Sequence, residues 1–367
     1  MIHHSDEYRD PAVAARLIAD ILATPGAPAR IMEFCGGHTH AIMRYGLREA
    51  LAPRVQLLSG PGCPVCVTDD LDIDRAIALA HLPGVTVATF GDMIRVPGTH
   101  SSLQEARARG GRVQVVYSAL DALALARREP GRSVAMLGVG FETTAPTVAA
   151  SLAQARAEGL GNYYVFSLHK LTPPAMRAIL DAGETRVDGV LGPGHVTAIT
   201  GWHAWDFLAE EYGVPCAVSG FEPTDILQAV GGVVADLAAG RPTVRNPYSR
   251  GVTAEGNRVA QALLAQVFTV GTARWRGLGE IPGSGLGLAP EFAAHDAALA
   301  FDLAPAGGEL SPLQQACRCG EVLRGVLEPP ECPLFGKACT PARPVGPCMV
   351  SAEGSCAAYY RYGGMAD

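Results

Sequence analysis

The sequence predicts an α/β protein with two similar parallel-sheet domains facing a cleft, followed by a small cysteine-rich C-terminal domain. Three observations carry this. Eight short apolar runs, each bounded by Gly, Pro or polar residues, have the character of buried parallel strands. Segments long enough for crossover helices lie between them, and such alternation means parallel sheets. Beyond about residue 313 the composition changes sharply, and six of the ten cysteines fall between Cys317 and Cys356.

The first four runs cover residues 30–34, 55–58, 85–90 and 113–117, and the second four cover 134–139, 163–168, 187–191 and 215–218. Helical segments are expected over 69–80, 118–128, 146–157 and 224–239. Four runs on each side of about Pro130 suggest domains at 1–128 and 129–277. Gly140-Phe141-Glu142-Thr143 and Gly220-Phe221-Glu222-Pro223 both follow a strand, a short internal echo. The Gly-, Pro- and Ala-rich stretch 278–313 reads as a linker, so that 278–367 forms the linker and the C-terminal domain. That tail is too small for an ordinary core and needs a staple, which cysteine ligation supplies.

With 48% hydrophobic and 18% charged residues, the 367-residue chain has ample material to bury. A net charge of −7 argues against nucleic-acid binding, which rests on a basic face. The N-terminus lacks the charged-then-apolar layout of a signal peptide, and no run approaches the roughly 20 apolar residues of a membrane span. A soluble, cytoplasmic protein is expected. In that reducing compartment ten cysteines point to metal or redox chemistry rather than disulfides.

Ligands of open parallel sheets bind beyond the carboxyl ends of the strands. There the sequence places Cys35-Gly-Gly-His-Thr-His40, Ser59-Gly-Pro-Gly-Cys-Pro-Val-Cys66, Gly91-Asp92, Gly140-Phe-Glu-Thr-Thr144, His169-Lys170 and Gly192-Pro-Gly-His195. Cys35 stands at a strand-to-helix turn, where helix amides are expected to lower a thiol pKa, and His38 and His40 would complete or tune a metal site. The alternative is a small buried hydrophobe beside capping histidines. Cys63 and Cys66 have the spacing of a dithiol that closes and reopens; a zinc half-site lacks a second close pair. His195 ends a Gly-Pro-Gly turn, a position equally open to an ordinary loop histidine. Gly138-Val139-Gly140 lacks the spacing and the Lys of a phosphate loop, and Glu142 to Thr144 suit a capped helix start as well as a catalytic group.

In the tail, Cys317-x-Cys319 is followed by Cys332, Cys339, Cys348 and Cys356. The short pairs of zinc ribbons and the spacing of ferredoxins are both missing. Four well-separated thiolates suit a cubane cluster, and zinc stays open.

Together these motifs, with Gly192-Pro-Gly-His-Val196, Cys332-Pro-Leu-Phe-Gly-Lys-Ala-Cys-Thr340, Gly346-Pro-Cys-Met-Val-Ser351 and Glu353-Gly-Ser-Cys356, resemble the HypD family from about Met32 to Tyr362. The resemblance covers every cysteine group except Cys216. It implies an accessory protein for [NiFe]-hydrogenases that works with a HypC-type chaperone in assembling an Fe(CN)2(CO) unit. Cyanide would come from HypE with HypF, and the hydrogenase large subunit would be served indirectly. It further implies Cys35 as the ligand of that iron, Cys63 and Cys66 as a redox dithiol, and His195 close to the iron. Cys332, Cys339, Cys348 and Cys356 would hold a [4Fe-4S] cluster, making the tail an iron–sulfur domain. Cys317 and Cys319 would form a further thiol pair, or one of them would displace a named ligand. Two other readings remain: a cluster-dependent thiol-disulfide oxidoreductase and a zinc-stapled binding module.

Overall fold

The computed structural model describes residues 7–303 and 308–364. All eight expected strands are present, with a short ninth and a separate hairpin. They are β1 (Ala29–Glu33), β2 (Val55–Ser59), β3 (Val85–Thr89), β4 (Val113–Val115), β5 (Ser133–Gly138) and β6 (Tyr163–Ser167). The series continues with β7 (Gly189–Pro193), β8 (Cys216–Ser219), β9 (Val244–Arg245), β10 (Phe268–Trp275) and β11 (Gly279–Leu288).

The strands form two parallel sheets, one in the order β2-β1-β7-β8-β9 and the other β4-β3-β5-β6. Helices cover both faces of each, as a parallel sheet requires, and the apolar side chains gather in separate clusters on those faces. The expected helices occur as Asp70–His81, Ala119–Arg128, Ala145–Ala157 and Pro223–Ala239. Local chemistry sets their ends. Ser118 and Asp121 close a reciprocal capping box, and Gly240 at φ 61° ends the last helix in the left-handed region.

Sheet membership departs from the split expected at residue 128. The first sheet takes β1 and β2 from the N-terminal half but β7 to β9 from much later, while β3 to β6 form the second. The second sheet is therefore nested within the first. The chain crosses between them after β2, through the Cys63–Cys66 segment, and returns after β6. Pairing of β1 with β7, with Met32 opposite Val190, makes the return possible and cannot be read from sequence order.

Within the expected linker 278–313, the segment 279–300 is more ordered than a linker. It begins with β11, paired antiparallel to β10 with a register shift between Gly271 and Ala273. A turn of helix at Pro290–His295 and a short helix at Ala297–Ala300 follow. The C-terminal helix, Ser355–Tyr362, lies against the helix that follows Cys35. Among the described residues no helix is long and apolar enough to cross a membrane.

Candidate thiol site

Cys35 leaves β1 in extended backbone and caps the helix Gly36–Arg44. Beneath it Glu33, 1% exposed, accepts from the Cys35 amide at 3.0 Å and from the Thr39 hydroxyl. Burial outweighs these bonds and pushes the Glu33 carboxyl up to about 8. The Cys35 thiol departs from expectation in the same direction. Amides of Gly37 and His38 favour its thiolate, without an ordinary capping bond, but burial dominates and the nearby Glu353 and Glu33 add to it. The thiol is pushed up to about 12 although the residue is only half-buried.

His38 is fully buried, and its Nε2 donates to the carbonyls of Gly220 at 3.1 Å and Ser219 at 3.3 Å. Those acceptors fix the tautomer, leaving a lone pair on Nδ1 with no partner among the described residues. Burial lowers this imidazole to about 4, so it is neutral. Phe221 lies between two imidazoles, stacked on His38 at 4.7 Å and on His195 at 3.9 Å. Gly37 makes room for it: a Cβ there would stand 3.0 Å from the Phe221 ring and 3.7 Å from the Cys35 sulfur. His195 thus joins Cys35 and His38 through an aromatic ring, and burial lowers its pKa too. Sequence reasoning passed over Phe221 and Glu33; the Gly-Phe-Glu echo was the one sign of the former. His40 is directed elsewhere. Its Nδ1 meets the Ala352 carbonyl and its Nε2 the Tyr362 hydroxyl, both at 3.3 Å, so it fastens the C-terminal segment.

The Gly-Pro-Gly turn before Cys63 lies directly on the Cys35 turn. The Gly36 amide donates to Gly62 at 3.0 Å, and a Cβ on Gly62 would stand 2.2 Å from the Cys35 nitrogen. Cys63 caps the four-residue helix Pro64–Val67, and the sulfurs of Cys63 and Cys66 are in hydrogen-bonding contact. Both are buried, at 3% and 0% exposure.

Cys66 also contacts Cys348, and there the two halves of the sequence pattern meet. Cys348 touches Cys319 and Cys356 as well, and Cys319 touches Cys317. Gly346 completes the wall, since a Cβ there would lie 2.5 Å from the Cys317 sulfur and 2.6 Å from that of Cys319. Nearby, Cys339 accepts from the Val345 amide at 3.3 Å and is pushed up by burial, and Cys332 is 8% exposed. Contact with Cys319 raises Cys317 and Cys348, with burial adding to both. Cys319 is therefore central to the thiol nest, although its spacing gave no such sign. Among the described residues no group of three or more His, Cys, Asp or Glu side chains is arranged to hold a single metal ion. The sulfurs meet in overlapping pairs instead. Cys216 stands apart in β8, packed beneath Gly192 as a small hydrophobe.

The HypD family model, described as "Hydrogenase formation hypA family", matches residues 12–363. The chain belongs to the HypD family. It is 47% identical over 369 residues to "Hydrogenase maturation factor HypD" of Rhodobacter capsulatus, covering 98% of each chain. Against the proteins of the same name from Cupriavidus necator and Escherichia coli K12 the identity is 44%. These alignments cover 99% of this chain and 97% of the first relative, and 97% of both chains for the second. Membership of HypD makes the chain a hydrogenase maturation factor, with its cysteine motifs inside the matched region.

Proposed function

We propose that this HypD protein is a scaffold on which the iron unit of a [NiFe]-hydrogenase is assembled with a HypC-type chaperone. Cys35 binds the iron, His195 stands beside it across Phe221, and the Cys63/Cys66 dithiol supplies redox chemistry. HypE with HypF serves as cyanide donor, and the hydrogenase receives the product indirectly. The observation that carries this reading is the contact of three motifs distant in sequence: Gly62 against Cys35, and Cys66 against Cys348.

The donor set of the tail fits a resident [4Fe-4S] cluster. Soft, buried thiols converge from several turns, and Gly346 leaves space where a side chain would fill the nest. Cys332, Cys339, Cys348 and Cys356 are the proposed ligands, with Cys317 and Cys319 as rivals because Cys319 touches both Cys348 and Cys356. When bound, the cluster supplies single electrons. Cys63 and Cys66 give up two electrons and two protons on closing to a disulfide and take them back on reopening. His38 offers a neutral, buried Nδ1 lone pair as a further donor to iron, and Glu33 and Thr39 hold the Cys35 turn in place.

The direct test is anaerobic co-purification with a HypC-type chaperone and infrared spectroscopy. Bands of iron-bound cyanide and carbonyl are expected and vanish in Cys35→Ala; their persistence there moves the iron elsewhere. Iron and acid-labile sulfide counts across single Cys→Ala variants identify the four cluster ligands, because variants of the remaining thiols keep the full complement. The sulfur contact between Cys66 and Cys348 also suits a cluster-dependent thiol-disulfide oxidoreductase. Multiple turnovers on a partner disulfide, without retention of an extra iron, would favour that alternative.

A further inference from the structure

The turn joining β10 to β11 grips both thiol groups at once. On one side it runs antiparallel to the residues just after Cys66: Thr68 bridges to Trp275, and the Arg276 amide donates to Val67 at 3.0 Å. The Arg276 side chain extends this grip. Its Nε donates to the Thr68 carbonyl at 2.9 Å and its Nη2 to the Pro97 carbonyl at 2.7 Å. On the other side Gly277, at φ +79°, lies on Gly320, the residue after Cys319; a Cβ on Gly277 would stand 2.4 Å from the Gly320 Cα. Arg324, at the far end of the short helix Cys319–Leu323, donates to the Gly277 carbonyl. Trp275 anchors the turn, fully buried, donating to the Ser284 hydroxyl at 2.8 Å and stacked on Phe141 at 5.9 Å.

Two features mark this as positioning rather than ordinary packing. Arg276 makes no ion pair among the described residues, and its Nε and Nη2 donate to main-chain carbonyls of two separate segments, Thr68 just after Cys66 and Pro97. A planar guanidinium fork fixes the relative placement of two chain segments in a way a point charge does not. The Pro64–Val67 helix, at four residues, is also far too short to hold its own geometry.

We propose that Trp275–Arg276–Gly277 is a clip that sets the Cys63/Cys66 pair against the C-terminal cysteines, with Arg276 as the positioning residue. Its chemical consequence rests on the dithiol reading above. A redox titration of Cys63/Cys66 in the unmodified protein judges that reading separately.

The test compares full-length, anaerobically purified wild type with Arg276→Ala, Arg276→Lys and the remote surface variant Arg127→Ala. Each is treated with iodoacetamide, and alkylation is followed cysteine by cysteine by mass spectrometry. Buried Cys216, outside the clip, is the internal reference. In Arg276→Ala the rates at Cys63 and Cys66 rise at least tenfold relative to Cys216, Arg276→Lys behaves similarly, and Arg127→Ala matches wild type. An unchanged ratio, a parallel rise at Cys216, or full rescue by Lys overturns the clip. If the variants do not fold, hydrogen exchange in the wild type decides. Amides of 65–69 and 275–278 must open at a common rate, and a tenfold disparity between them refutes the coupling.

Discussion

Substituting Glu142 by Gln should abolish a large part of the pH dependence of stability. The carboxyl is 3% exposed, and its Oε1 accepts from the Thr172 amide at 2.8 Å and the Thr172 hydroxyl at 3.2 Å. These bonds tie the turn after β5 to the start of the helix Thr172–Ala182. Burial outweighs them and pushes Glu142 from 4.5 up to about 7. Below pH 4.5 the folded and unfolded chains are both protonated there. Between the two values the folded protein keeps a proton that the unfolded chain has released, so stability falls as pH rises, and above about 7 the loss is complete. A difference of about 2.5 pH units at 1.36 kcal/mol each gives about 3 kcal/mol.

Gln keeps an acceptor for Thr172 and does not titrate, at the cost of burying an amide donor, about 1–3 kcal/mol at every pH. Urea unfolding of both proteins at pH 5, 6, 7 and 8 supplies the difference in stability. Other titrating groups, Glu33 among them, cancel in that difference. Wild type should lead at pH 5, and its lead should shrink by about 2.5 kcal/mol by pH 8, the rest of the change falling below pH 5. Parallel profiles would mean that Glu142 is ionised in the folded protein throughout, and the reasoning from burial would be wrong.

Three further substitutions test the packing around the thiols and the second sheet. Gly62→Ala drives a methyl into the Cys35 backbone and should cost about 3 kcal/mol by urea unfolding; a loss under 0.5 kcal/mol would contradict the contact. Gly346→Ala forces Cys317 and Cys319 outward, so iron bound per chain should fall at least twofold by colorimetric assay, and unchanged iron would remove the nest from the cluster site. Asn162→Ala removes Nδ2 bonds to the carbonyls of Ala126, Glu129 and Arg132, at 2.9, 3.1 and 2.9 Å, and should lower stability by about 2 kcal/mol in the same unfolding assay. A neutral result there would mean that water replaces the amide without loss.

Much of the scaffold was legible because buried parallel strands leave a compact sequence signature. The eight apolar runs recur within a residue or two as β1 to β8, bounded by Gly, Pro or polar residues. The second strand of the hairpin left no such trace. Its strand β11 carries Gly279, Gly283, Gly285 and Gly287, and a Cβ on Gly285 would stand 2.8 Å from that of Ala273. Close approach across the bulge therefore excludes a side chain at Gly285, and glycines dilute the β-branched and aromatic pattern by which strands are recognised. Charge at Cys35 misled for a different reason. The helix amides act in the expected sense, but desolvation at the sheet edge is larger, and sequence alone gives no measure of desolvation.

The nested topology accounts for the rest of the site. Because the chain leaves the first sheet after β2 and does not return until β7, the CPVC segment is the first crossing between the sheets. Cys35 and Gly62 are neighbours because β1 and β2 pair in parallel with Glu33 beside Ser59, which brings both outgoing turns to one edge. Phe221 reaches that edge from β8, two strands away through β7, so its contact with His38 depends on a return crossing that no local motif announces. Cys66, lying on the crossing itself, is open to approach by elements from outside both sheets, and the hairpin turn and the Cys319–Cys348 loops occupy that position. Had the sheets divided the chain at residue 128, β7 and β8 would lie in the other sheet, and His195 and Phe221 could not share an edge with Cys35.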